Sequence, residues 1–146
     1  MPSLVPGSSV HPADVFLPQW KGGRPVALDI TVISPLQEQR VATAAVVQGS
    51  SLGVAEARKL SLHAANCHQA GITFIPMAVE ALGGWSSSAS EVIGHISRLL
   101  ALRLGHPLSE TCHHLFQRLS VALWRGNASM WATRHPSLPA SVDGLI

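Results

Sequence analysis

Two short apolar stretches lie near the start of the chain, with a polar, glycine-rich segment between them. Residues 13–17 and 26–33 are rich in the β-branched and aromatic residues that strands favour. The intervening residues, Trp20-Lys21-Gly22-Gly23-Arg24-Pro25, have the composition of a turn. The pattern therefore predicts a β-hairpin over residues 11–34.

Downstream, the spacing of apolar residues changes to that of helices. It predicts a helix over 52–70 ended by Gly71, a strand over 72–79, and two long helices over 88–104 and 108–133. Residues 36–48 indicate a further helix more weakly. Pro76 places the 72–79 strand at a sheet edge or a bulge. A helical crossover normally joins parallel strands, so the order predicts an α/β fold with a small mixed sheet flanked by helices.

Composition limits the class of protein. Of the 146 residues, 47% are hydrophobic and only 12% charged, which indicates a folded domain, and no apolar run is long enough to span a bilayer. We expect one domain over 11–134, a flexible lead-in over 1–10 and a flexible tail over 135–146. The first residues lack the features of a secretory signal, so we expect a nuclear or cytoplasmic protein that is not secreted and has no membrane partner. The low charge fraction also suggests a segment of a longer polypeptide or a subunit.

Asp14 and Asp29 are two of only three aspartates, and each interrupts an apolar strand pattern. Folding the hairpin brings them close together, and two adjacent carboxylates are suited to a hard divalent cation such as Mg²⁺. A structural interpretation has equal weight at this point. In it, Asp14 is a turn or capping acid and Asp29 is hydrogen-bonded within its strand.

The helices add cationic candidates. On the 52–70 helix, the spacing puts Glu56, Lys59 and His63 on one side, beside an apolar seam of Leu60, Ala64 and Cys67. A lysine at the rim of such a seam can reach an acidic site, although a solvated charged face is the simpler interpretation.

The last helix carries Arg118 and Arg125 near Trp124 and Trp131, a combination that suits nucleic acid. The tryptophans equally suit the core or a missing part of a larger protein. A zinc site using Cys67 and Cys112 has no zinc-finger spacing, and buried cysteines explain the residues better.

Several segments together resemble a known family. They are H-P-A-D-V-F-L-P, A-L-D-I-T-V-I-S-P-L, A-E-A-R-K, F-I-P-M-A-V-E-A-L-G-G-W and R-L-S-V-A-L-W-R-G-N-A. Over residues 11–134 the chain resembles the restriction-like endonuclease domain of non-LTR retrotransposons, a branch of the PD-(D/E)XK nucleases that follows a reverse transcriptase. The resemblance implies a restriction-endonuclease-like fold, a larger reverse-transcriptase polypeptide and a DNA substrate.

The resemblance also implies roles for particular residues. Asp14 and Asp29 become catalytic ligands of Mg²⁺ or Mn²⁺. Thr31 stands where the nuclease consensus has lysine, so Lys59 becomes the catalytic lysine, moved to the helix. Where the family often has a tyrosine this chain has His63, and the helix that opens the family's core has no counterpart before residue 11.

The expected activity is metal-dependent DNA cleavage. The alternatives are an inactive nuclease-like fold that binds nucleic acid or protein, and an inert retroelement remnant. The predicted DNA contacts are Lys21, Arg24, Arg118 and Arg125.

Overall fold

A computed structural model describes residues 13–39 and 41–134, and the predicted lead-in and tail lie outside these ranges. The element order is β1 (Val15–Leu17), a short 3₁₀ turn (Lys21–Gly23), β2 (Val26–Ile33), α1 (Val41–Val46), α2 (Ser50–Gln69), β3 (Thr73–Glu80), α3 (Ser87–Leu104) and α4 (Leu108–Arg134). The fold is mixed α/β, with two long C-terminal helices as predicted.

The three strands form one mixed sheet in the order β1-β2-β3. β1 pairs antiparallel with β2, from Val15 opposite Leu28 to Leu17 opposite Val26. β2 pairs parallel with β3 along its whole length, and Asp29 lies opposite Pro76. The hairpin and the parallel crossover through α2 are therefore confirmed. The turn reverses the chain where Gly22 and Gly23 both adopt positive φ, the region that glycine enters without steric cost.

Helices cover both faces of the sheet. Successive strand residues point to opposite faces. On one face, Ile33 and Ala78 pack against Leu52 and Ala55 of α2. On the other, strand residues including Val26 pack against α3, and α4 adds a partly buried layer. That second core consists of Val26, Leu28, Met77, Ala89, Val92 and Ile93, with Leu115, Phe116 and Leu119 packed against it.

The outer edge of β3 is protected by its own chain. Pro76 offers no N–H there. Further along, the chain folds back so that Val79 bridges Trp85 and the Ser86 amide donates to the Ala78 carbonyl. The prediction of an edge strand from Pro76 is confirmed. Within residues 13–39 and 41–134, no helix combines the length and apolar character needed to cross a membrane.

Candidate active site

Asp29 lies in the middle of β2 on the face that α2 covers. It is 7% exposed and lies between the buried Leu28 and the half-exposed Ile30. Removing an ionised carboxylate from water costs several kcal/mol unless another charge compensates it. The position of Asp29 therefore requires a cationic partner or a proton.

Lys59 of α2 supplies that partner. Its ammonium Nζ lies 2.9 Å from Asp29 Oδ2, and its side chain is 31% exposed, so the pair is buried at the carboxylate and open at the lysine. Lys59 thus reaches the strand acid, although a solvated charged face was the simpler interpretation of its sequence. The contact has the distance of an ion pair but not the angles of a hydrogen bond, and Oδ2 accepts no hydrogen bond from any described residue.

Asp14 lies next to Asp29 at the start of β1. Its backbone amide donates to the Leu28 carbonyl at 3.0 Å, and its carboxylate Oδ2 accepts from the Ile30 amide at 2.7 Å. The two bonds go to the residues on either side of Asp29, so the hairpin brings the two aspartates to neighbouring positions. The Asp14 carboxylate takes the place of a backbone acceptor where β1 begins, which is the capping role considered as the alternative.

The helix that carries Lys59 faces the sheet along a different row from the one that the sequence predicted. Leu60, placed in the buried seam, is 42% exposed, whereas Cys67 is buried as predicted. The row that reaches the sheet runs through Lys59 and His63, whose ring lies 5.6 Å from that of Phe74. His63 lies on the same side of the helix as Lys59, as the helical spacing predicts.

Of two further features of α2, the buried cysteine was predicted and the buried carboxylate oxygen was not. Glu56 Oε1, one turn before Lys59, is buried and has no hydrogen-bond partner among the described residues. Burial raises the pKa of the Cys67 thiol, so this cysteine is a packing residue and not an activated nucleophile. An orphaned carboxylate oxygen cannot be read from sequence, because it depends on what the sheet places opposite the helix.

The four predicted DNA-contacting residues lie in different places. Lys21, in the hairpin turn, forms an ion pair with Glu91 of α3 at 2.7 Å. This contact lowers the pKa of Glu91, chiefly through the hydrogen bond from Lys21 and secondarily through its charge. Arg24 is exposed at the end of the turn.

Arg118 and Arg125 are exposed on α4, and Trp124 beside them is 54% exposed. Because α4 packs on α3, these arginines lie on the side of the sheet opposite to Asp29 and Lys59. The fold brings the catalytic candidates together and does not bring Arg118 and Arg125 to them.

In the part of the chain that the structure describes, no group of three or more histidine, cysteine, aspartate or glutamate side chains lies close enough to hold a metal ion. Cys67 and Cys112 are free thiols on α2 and α4. Comparison with known protein families, with curated proteins and with solved structures finds no match to this chain.

Proposed function

We propose that this chain is a metal-dependent DNA endonuclease domain of the restriction-like type, derived from a retroelement polypeptide. The observation that carries the proposal is the buried Asp29 carboxylate, which has Lys59 Nζ 2.9 Å away. Beside it, the Asp14 carboxylate accepts a hydrogen bond from the amide of the next strand residue, Ile30. Two carboxylates and a lysine on a hairpin and its crossover helix are the residues that the sequence resemblance requires.

The donor set suits a hard divalent cation. Mg²⁺ is commonly bound through one or two carboxylates, with waters and substrate phosphate oxygens completing its shell. Asp29 Oδ2 is buried, and its partner is the Lys59 ammonium 2.9 Å away, so a divalent cation would take the place of that ammonium on the carboxylate. Asp29 and Asp14 would hold the ion, which when bound supplies Lewis-acid polarisation of a phosphoryl oxygen.

The remaining steps belong to the protein's own side chains. Lys59 has a partly exposed side chain on a flexible stem, so its ammonium can move from Asp29 toward a phosphate while staying at the site. There it would stabilise the negative charge that develops during phosphodiester hydrolysis. The hydrogen bond from the Ile30 amide fixes the Asp14 carboxylate at the strand edge and limits its rotation.

The first test is nicking of supercoiled DNA with Mg²⁺ or Mn²⁺ by the full chain and by Asp29→Asn, Asp14→Asn and Lys59→Met. Asparagine keeps the size of each side chain, and at position 14 it still accepts from the Ile30 amide, so charge is lost without loss of the cap. We expect each variant to cleave at least about a hundredfold more slowly, the scale on which electrostatic groups act on a transition state.

Glu110→Gln is the matched control, because it removes an exposed carboxylate on α4. Circular dichroism checks that every variant is folded. Equal cleavage by Asp29→Asn and the unmodified chain would overturn the proposal.

A second candidate is a nuclease-like fold that only binds nucleic acid. Arg118 and Arg125 favour it, because they line one pocket on α4 together with the aromatic Phe116, on the side of the sheet opposite to Asp29. This candidate predicts no nicking by the folded chain, and DNA binding that survives Asp29→Asn.

A further inference from the structure

A cavity lies at the end of α2 farthest from α1. It has a volume of ≈ 820 Å³ and is lined by the last turns of α2, the start of β3 and the end of the hairpin turn. Arg24 is its cationic side chain, His68, Gln69 and Thr73 add hydrogen-bonding groups, and Phe74 gives it an apolar wall. No acidic residue is among the described residues that line it.

The backbone amides around the cavity are already engaged. The amides of Ala70, Gly71 and Ile72 donate to carbonyls of the last turn of α2, and the Thr73 amide donates to the Pro25 carbonyl. A ligand must therefore be recognised by side chains. A guanidinium with neighbouring hydrogen-bonding groups and no competing acid selects an anion such as a phosphate.

The cavity lies along the same helix as the ion pair. His68 follows Lys59 by nine residues, about 13 Å at the rise of an α-helix. Arg24 precedes Asp29 by five residues, about 16 Å along a strand. With an axial rise of about 3.4 Å per nucleotide in one DNA strand, these distances correspond to about four to five nucleotides.

We propose that Arg24 and His68 form a phosphate-binding subsite that holds the backbone of a nucleic acid about four to five nucleotides from Asp29 and Lys59. The assignment of DNA as the source of the phosphate rests on the proposed function. The subsite positions the strand and does not take part in bond cleavage.

The test is DNA binding by the full chain, followed by fluorescence anisotropy with a fluorescein-labelled duplex. Asp29→Asn serves as the background, so that no cleavage occurs during the titration. Adding Arg24→Ala should weaken binding and lower the slope of log K against log salt by about 0.9, as expected for the loss of one phosphate contact. Adding His68→Ala should weaken binding about threefold, the effect of losing one hydrogen bond.

Arg103→Ala and His106→Ala are the matched controls. They remove the same types of side chain from exposed positions at the end of α3 and in the turn before α4. Neither should change the affinity or the salt slope. Equal effects of the control and subsite substitutions would overturn the proposal, because they would reflect net charge alone.

A second experiment distinguishes a subsite for the phosphates of a nucleic-acid backbone from a site for free inorganic phosphate. Inorganic phosphate is titrated onto the chain while the ring signals of His68 are followed by NMR. A subsite for a polymer backbone predicts saturation only at millimolar phosphate or above. Saturation at micromolar phosphate, with DNA binding unchanged in His68→Ala, would overturn the DNA assignment.

The two proposals fail in different ways. Loss of DNA affinity in the subsite variants, with no nicking by the unmodified chain, would contradict the nuclease and retain the subsite. Metal-dependent nicking with affinity unchanged in both subsite variants would contradict the subsite and retain the nuclease.

Discussion

The ion pair between Lys59 and Asp29 joins a helix to a strand through one contact of 2.9 Å. Its carboxylate is buried and its ammonium is partly in solvent, so the two partners contribute unequally. Loss of the lysine leaves a charge in the protein interior, whereas loss of the aspartate releases the lysine into water. This asymmetry can be measured.

Lys59→Met should therefore lower the free energy of unfolding by about 2 kcal/mol, less than the 3–5 kcal/mol typical of fully buried pairs, because the lysine is partly solvated. Adding Asp29→Asn to Lys59→Met should recover part of this loss, since the uncompensated charge is gone. Urea denaturation measures both effects, in a double-mutant cycle. Lys21→Met is the matched control, because its exposed pair with Glu91 should contribute little to stability. Strictly additive losses at positions 29 and 59 would contradict this account.

Among single elements, α3 depends on one serine for its first turn. Ser86 is 4% exposed, and its hydroxyl oxygen accepts from the Ala89 amide at 3.1 Å and from the Ala78 amide of β3 at 3.2 Å. The first bond caps the helix and the second satisfies a buried amide of the edge strand. Ser86 thus couples the end of β3 to the start of α3.

Ser86→Ala removes the one oxygen that accepts both hydrogen bonds. We expect a loss of about 2 kcal/mol in the free energy of unfolding, from about 1 kcal/mol for the cap and at least as much for a buried amide left unpaired. Ser87→Ala, one residue further at an exposed position, should change stability by less than about 0.5 kcal/mol. Chemical denaturation compares the two. Equal effects at positions 86 and 87 would show that the cap does not couple the elements.

The elements that sequence patterns predicted best are those with the strongest apolar signal. The bounds of β2 agree with the prediction at both ends, and α3 and α4 differ by a residue or so. The predicted helix over 36–48 is reduced to α1, over Val41–Val46. That stretch has three valines, which lower helix propensity, and it buries no residue within α1, so no apolar face holds a longer helix.

The orientation of α2 was not predictable in the same way. Its alanines and serines do not distinguish one face of the helix from another. A lysine is polar, so apolar periodicity does not place it in the row that faces the sheet. The sheet places Asp29 opposite that row, which makes Lys59 a sheet-facing residue. Asp14 and Asp29 could be assigned to one site from the hairpin alone. The cavity at Arg24 and His68 depends on the packing of three separate segments, and no local pattern indicates it.

Across the whole molecule, the hairpin turn is held against α3 by residues far apart in the chain. The Trp20 ring lies 4.6 Å from the His95 ring in an edge-to-face arrangement. Lys21 Nζ lies 2.7 Å from Glu91 Oε1, a contact between residues 70 positions apart. These two contacts join the turn at the antiparallel edge of the sheet to α3, the helix on the sheet face opposite to α2.

The ion pair between Lys21 and Glu91 makes the free energy of unfolding depend on pH in a defined direction. Lys21 lowers the pKa of Glu91 from its ordinary value of 4.5. A carboxyl whose pKa is lower in the folded state stabilises the fold above its unfolded pKa, and loses this contribution as pH falls through the folded value. Glu91→Gln should therefore be less stable than the unmodified chain at pH 7, and the difference should disappear well below pH 4.5.

Because the pair is exposed, added salt should also shrink the difference at pH 7. Urea denaturation at both pH values, with and without salt, measures these changes, and Glu110→Gln is a control carboxylate on α4. A difference that persists at low pH would mean that Glu91 acts through packing of its side chain. Since the same lysine is a predicted DNA contact, Glu91→Gln should also release its charge and strengthen DNA binding at pH 7.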